Sequence, residues 1–135
     1  MATLNPYRIK IREHHLDSYQ HVNNATYLSL YEEARWEIIS ERGYTYETVH
    51  QTGLGPVILE AHVKFLKELK LRETISITLE ILSYEKRIFK LKQQIIKENG
   101  LIASEAIITG AFFDLNSRKI IEPNPPWLKA IGLGN

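Results

Sequence analysis

Eight polar residues that no regular periodicity explains crowd into one stretch: Glu13, His14, His15, Asp17, Gln20, His21, Asn23 and Asn24. Three of the five histidines lie there. The stretch ends where an amphipathic helix begins. That junction suits catalysis, because first-turn amides lack intrahelical partners and the helix dipole is positive at that end. Asn23 or Asn24 fits the N-cap, since an Asn side chain accepts from a free first-turn amide. With Asn23 as cap, its side chain occupies the amide of residue 25 or 26. The amide of Asn24 is then left to donate to an incoming carbonyl oxygen. Asp17, six residues earlier, could reach the same space as nucleophile or general base.

Plainer roles exist for each of these residues. Asp17 could form an Asx-turn or favour the helix dipole, and His14, His15 and His21 could be solvated. The histidines and Asp17 are zinc-ligand types, but their spacing matches no familiar site, so no metal is expected. Tyr27 and Tyr31 fit the core stripe of the helix, and also a substrate pocket if one abuts it. Lys86, Arg87 and Lys90 form a basic trio near a strand entry, either as solvated charge or as a phosphate grip. His62 reads as structural.

The elements that must position these groups are legible from periodicity. Tyr27, Leu30, Tyr31, Ala34 and Ile38 recur at the three- and four-residue spacing of one helical face, with Leu28 and Ile39 widening the stripe. Gly43 stands where a left-handed residue ends such a helix, which is roughly 28 Å long at 1.5 Å per residue. A short helical piece is predicted over residues 45–51, and loops at 53–56 and 123–126, where proline and glycine gather. Strands are predicted over 7–13, 57–65, 74–82, 87–97 and 101–115 by their alternation. Asn99-Gly100 predicts a two-residue type I′ hairpin between the last two. One long helix beside an antiparallel meander is an α+β arrangement, with the helix packed on the apolar face of the sheet.

Composition narrows the function classes. A chain of 135 residues supports one domain over residues 1–135. Its 44% hydrophobic and 24% charged shares are ordinary for a globular protein. Seventeen basic and sixteen acidic residues leave +1 with no charged block, which argues against a nucleic-acid partner. Zero cysteines remove disulfides, thiolate metal sites and a cysteine nucleophile. Neither GxGxxG nor GxxxxGK[ST] occurs, so no glycine-rich phosphate cradle is present. GxSxG is missing too, which argues against a serine-elbow hydrolase. The first residues lack a signal-peptide run and no 18-residue apolar stretch occurs, so the expectation is a cytoplasmic protein without a membrane span.

The run from Asp17 through Gln20, His21, Val22, Asn23, Asn24 and Tyr27 to Leu28, followed by Tyr31, Glu32, Glu33, Ala34 and Arg35, resembles the hotdog-fold acyl-CoA thioesterases of the 4-hydroxybenzoyl-CoA thioesterase type. Their pattern reads D-x-D-x-x-G-H-V-N-N-x-x-Y-L and then E-x-A-R. Asp17 matches the second Asp; His21, Asn23, Asn24 and Tyr27 match in register. His15 stands where the family often has its first Asp, and Gln20 replaces the usual Gly.

The resemblance implies a five-stranded antiparallel sheet wrapped around one long central helix, paired into a homodimer or a dimer of dimers. It implies hydrolysis of an acyl-CoA or acyl carrier protein thioester, with no cofactor, because coenzyme A is part of the substrate. Asp17 would be the nucleophile or base, the Asn24 amide the carbonyl-polarising donor, and His21 a catalytic companion. Asn23, Tyr27, Tyr31 and Val57 would contact substrate, and Lys86, Arg87 and Lys90 would meet the phosphates. Two other expectations on the same scaffold are a non-catalytic acyl-thioester binding module and hydration of an enoyl thioester.

Overall fold

The computed structural model describes residues 4–134. Helix α1 (Asn24–Glu41) begins at Asn23, which is extended (φ −65°, ψ 145°) and whose side chain accepts from the Ala25 amide at 2.8 Å. Tyr27, Leu30, Tyr31, Ala34, Ile38 and Ile39 are its buried face, each large member contributing about 2 kcal/mol of apolar burial. Leu28 is 48% exposed, so it flanks the stripe instead of widening it. The helix stops at Arg42, and Gly43 follows at φ +101° with its amide on the Ser40 carbonyl. Two short helices complete the set: α2 (Tyr46–Thr52), capped by Thr45, and α3 (Pro125–Ala130), capped by Asn124.

Seven strands form one antiparallel sheet: β1 (Tyr7–Lys10), β2 (Leu54–Phe65), β3 (Thr74–Ile77), β4 (Glu80–Glu85), β5 (Ile88–Ile96), β6 (Ile102–Asp114) and β7 (Lys119–Ile121). They fill five positions. The order is β1-β3-β5-β6-β2, and β4 pairs with β5 in the register of β3, with Ile77 opposite Ile95 and Glu80 opposite Lys92. β7 continues the line of β5 along β6, since Ala111 faces Ile88 and Phe112 faces Ile121. The expected α+β hotdog arrangement is therefore present. No described helix is long and apolar enough to cross a membrane.

Four local expectations change. The loop expected at 53–56 is already strand from Leu54, with Pro56 opposite Phe112. The strand over 74–82 is interrupted at Thr78, whose hydroxyl accepts from the Gln94 amide at 2.9 Å in place of a backbone carbonyl. Ile75, Ile77, Leu79 and Ile81 stay buried across the break. At the β5–β6 hairpin, the Gly100 amide donates to the Lys97 carbonyl and Gly100 has φ +88°. Asn99 is not left-handed, so this is a three-residue connection with the glycine after the turn, not a type I′ pair. The proline-rich loop contains α3, because Pro at the first helical positions needs no amide partner. It delivers Trp127, 1% exposed, onto Tyr44, Phe89 and Phe112.

A buried polar chain fixes α1 against the sheet. The Tyr31 hydroxyl donates to Ser104 Oγ at 2.7 Å, and that hydroxyl donates to the Lys64 carbonyl at 2.8 Å. Gln93, with 0% exposure, donates to the Tyr31 carbonyl and accepts from Arg35 Nη1 at 3.1 Å. Rotating the helix would orphan these groups, each at about 1–3 kcal/mol. The helix orientation that presents Asn24 is thus set from inside the core.

Candidate active site

The segment before α1 is a closed loop. A 3-10 turn (Glu13–His15) places His15 so that Nδ1 accepts from the Arg12 amide at 2.8 Å. His15 is 7% exposed, and burial first, then the neighbouring His14, pulls its pKa below the usual histidine value. It anchors the loop and is not a solvated residue. Leu16 bridges Val22, the Asp17 amide donates to the His21 carbonyl at 2.8 Å, and the Gln20 amide donates to the Asp17 carbonyl. Asp17 Oδ1 accepts from the Tyr19 amide at 2.8 Å, an Asx-turn, and more distantly from that of His21. Its second oxygen accepts from no described group. Gln20 sits at φ +66°, where the family pattern carries glycine.

At the start of α1, the Asn23 side chain takes the Ala25 amide, shared with Asn24 Oδ1 at 3.0 Å, and the Asn23 carbonyl takes that of Thr26. The Asn24 amide donates to no described residue. A cleft of about 260 Å³ opens there, lined by His21, Val22, Asn24, Tyr27 and residues 65–69. Tyr27 is 5% exposed and meets Phe65 edge-on at 5.0 Å. Burial, then Glu68 and Glu73, raises its pKa, so it stays a neutral phenol at the cleft wall. Across the cleft, Glu68 Oε1 lies 2.8 Å from His21 Nε2. Glu68 escaped the sequence reading because it stands in an aperiodic loop 47 residues from its partner, with no local signal.

The structure gathers His21, Asn24 and Tyr27 in this cleft, with Asn23 as the cap behind it. Asp17 lies in the adjoining loop, half-buried, and is not part of the cleft wall. Tyr31 has 0% exposure and its hydroxyl is spent on Ser104, so it is a core residue with no surface for a ligand. Val57, Lys86, Arg87 and Lys90 do not line the cleft of their own chain. Arg87 pairs with Glu122 at 3.2 Å, and Lys86 occupies the β4–β5 turn at φ +58°. Among the described residues, no three His, Asp or Glu side chains gather as metal ligands would.

A second feature runs along α1. Asn24, Leu28, Glu32, Arg35 and Ile39 recur every three or four residues and follow one stripe. Two adjoining hollows of about 340 Å³ each lie against it and share Glu32, Arg35 and Ile58. Leu28, Ala61 and Ile108 wall the nearer one; Trp36, Ile39, Pro56, Phe89 and Trp127 wall the farther. The stripe is about 22 Å long from Asn24 to Ile39.

The family pattern of the thioesterase-like superfamily matches residues 11–131. The chain belongs to that family. This thioesterase is 32% identical over 116 residues to the long-chain acyl-CoA thioesterase FadM of Escherichia coli K12, covering 84% of this chain and 86% of that one. A crystal structure of a probable thioesterase from Escherichia coli superposes with a TM-score of 0.82 at 27% identity, covering 96% of this chain and 97% of that chain. A Staphylococcus aureus protein solved in complex with CoA shares the fold at TM-score 0.88 and 20% identity, over 97% of this chain and 84% of that chain. The resemblance read from residues 17–35 therefore holds, and the protein is a thioester hydrolase.

Proposed function

We propose that this thioesterase cleaves an acyl-CoA thioester to the free acid and CoA, with the Asn24 amide polarising the carbonyl and Asp17 as nucleophile or general base. The observation that carries the reading is the unpartnered Asn24 amide at the mouth of the cleft. A thioester carbonyl docked on it gains a donor reinforced by the helix dipole. An oxyanion donor of this kind is worth about 3 kcal/mol in the transition state. The Asx-turn uses one of the Asp17 oxygens and leaves the other for the acyl carbon or a water.

The two hollows beside α1, walled largely by apolar side chains with Glu32 and Arg35 between them, offer the acyl chain a path from Asn24, and the length of the stripe suits a long chain. The long-chain activity in the name of the Escherichia coli relative supports the same choice. Lys86, Arg87 and Lys90 lie away from the cleft of their own chain, and we assign them to the phosphates of CoA bound to a partner copy. Asp17→Asn and Asp17→Ala are expected to lower kcat roughly a hundredfold, with circular dichroism unchanged, on a panel of aromatic, short and long acyl-CoA substrates. Full turnover in both variants overturns the role of Asp17, and a preference for aromatic or short acyl groups overturns the long-chain assignment.

A further inference from the structure

We infer that Glu68 and His21 form the proton-handling pair of this hydrolysis, with Glu68 as the positioning residue and His21 as the base that activates water. The inference rests on the reading above in its nucleophilic form, where Asp17 takes the acyl group. In the described cleft, the carboxylate that shares a wall with the Asn24 amide is Glu68. A carboxylate only accepts, so Glu68 Oε1 at 2.8 Å places the ring proton on His21 Nε2. Nδ1 is left with the lone pair. A carboxylate that fixes the tautomer and orientation of an imidazole is what a histidine base requires.

Stability does not explain the pair. The two side chains are 50% and 56% exposed, and exposed pairs contribute at most about 1 kcal/mol. The loop that carries Glu68 is nevertheless held firmly. Lys97 Nζ donates to the Glu68 carbonyl and pairs with Glu73 at 3.1 Å, both side chains largely buried at 12% and 15%. The amides of Leu66 and Lys67 both donate to the Ala103 carbonyl, at 2.8 and 3.0 Å, and Leu69 is 1% exposed. A buried cation and a buried leucine thus hold a solvent-facing carboxylate in one place.

The chemistry balances over two steps. Asp17 attacks the acyl carbon, the C–S bond breaks, and CoA leaves as thiolate. A water oxygen then bonds to the acyl carbon of the resulting anhydride while His21 Nδ1 takes one water proton. The bond from that carbon to the Asp17 oxygen breaks and restores the carboxylate. The imidazolium returns its proton to the thiolate or to solvent.

The test is pre-steady-state thiol release by the full chain, comparing wild type with Glu68→Gln, His21→Gln and Asp17→Asn on a long-chain acyl-CoA. Removing a positioned base costs about 10²- to 10⁴-fold. Glu68→Gln and His21→Gln are expected to give a burst of one thiol per site, then turnover at least about a hundredfold slower, with KM not raised. Mass spectrometry of the burst product should find the acyl group on Asp17. Glu68→Gln keeps the backbone carbonyl that Lys97 grips, so a folding defect is not expected, and circular dichroism checks it. Wild-type rates in both variants, or slow turnover without a burst, overturn the pair. An unimpaired Asp17→Asn overturns the nucleophilic reading separately.

Discussion

Gln20 occupies a backbone conformation that side chains with a Cβ enter at about 1–2 kcal/mol. The loop imposes it, because Gln20 lies inside the turn that returns the chain from Asp17 to His21. Gln20→Gly is therefore expected to stabilise the folded state by about 1 kcal/mol after the extra chain entropy of glycine is subtracted, a rise of roughly 3–5 °C in Tm. A lowered Tm in thermal unfolding would show that the Gln side chain contributes contacts that outweigh the strain. At this scale the sequence was informative where chemistry is local. The cap at Asn23, the free amide at Asn24 and the Asx-turn at Asp17 each follow from residues within a few positions. The place of Tyr31 in the core stripe was legible, whereas Glu68 and the Tyr31 hydroxyl partner were not, because the first is defined by a contact across 47 residues and the second is Ser104, 73 residues away.

The element before α1 holds its shape through an unprotonated histidine. His15 Nδ1 can accept from the Arg12 amide only without a proton, and burial lowers its folded pKa below the usual 6.5. Below that unfolded value the unfolded chain binds the proton more readily than the folded one, so stability must fall as pH drops from about 6.5 through the folded pKa. Above about 6.5 this contribution is constant. Thermal unfolding between pH 7.5 and 5 should show a steeper loss in wild type than in His15→Gln; equal slopes would remove His15 as the cause. Helix α1 was legible nearly to the residue, since capping and periodicity agree. The break at Thr78 was hidden, because the buried alternation from Ile75 to Ile81 runs through it unchanged. The β5–β6 turn was misread because Asn-Gly also serves the longer connection, and only the backbone angles separate the two.

For the whole molecule, the telling surface is β2. It pairs with β6 along one side, no described strand covers the other, and Ile58, Leu59 and Phe65 are 43%, 51% and 51% exposed. A twelve-residue open edge is a template for another chain. The homodimer expected from the sequence is predicted to pair two copies across this edge. Sedimentation should find a dimer, and Leu59→Lys should raise its dissociation constant at least about tenfold, or about 1.4 kcal/mol. A wild-type monomer at micromolar concentration would refute the pairing. Five strand positions around one helix were legible from alternation and the motif. Two of those positions are each built from two separate segments, which no local pattern announces.

Lys97 directly follows strand β5, one step before the hairpin tip, and its ammonium also grips the loop under the cleft. Hairpin tips are ordinarily where foreign sequence can be spliced in with impunity. Here a graft at Glu98 or Asn99 would tug on that tether, so an engineer seeking a place for a tag should choose the β6–β7 turn at Asn116 and leave the Lys97 corner untouched.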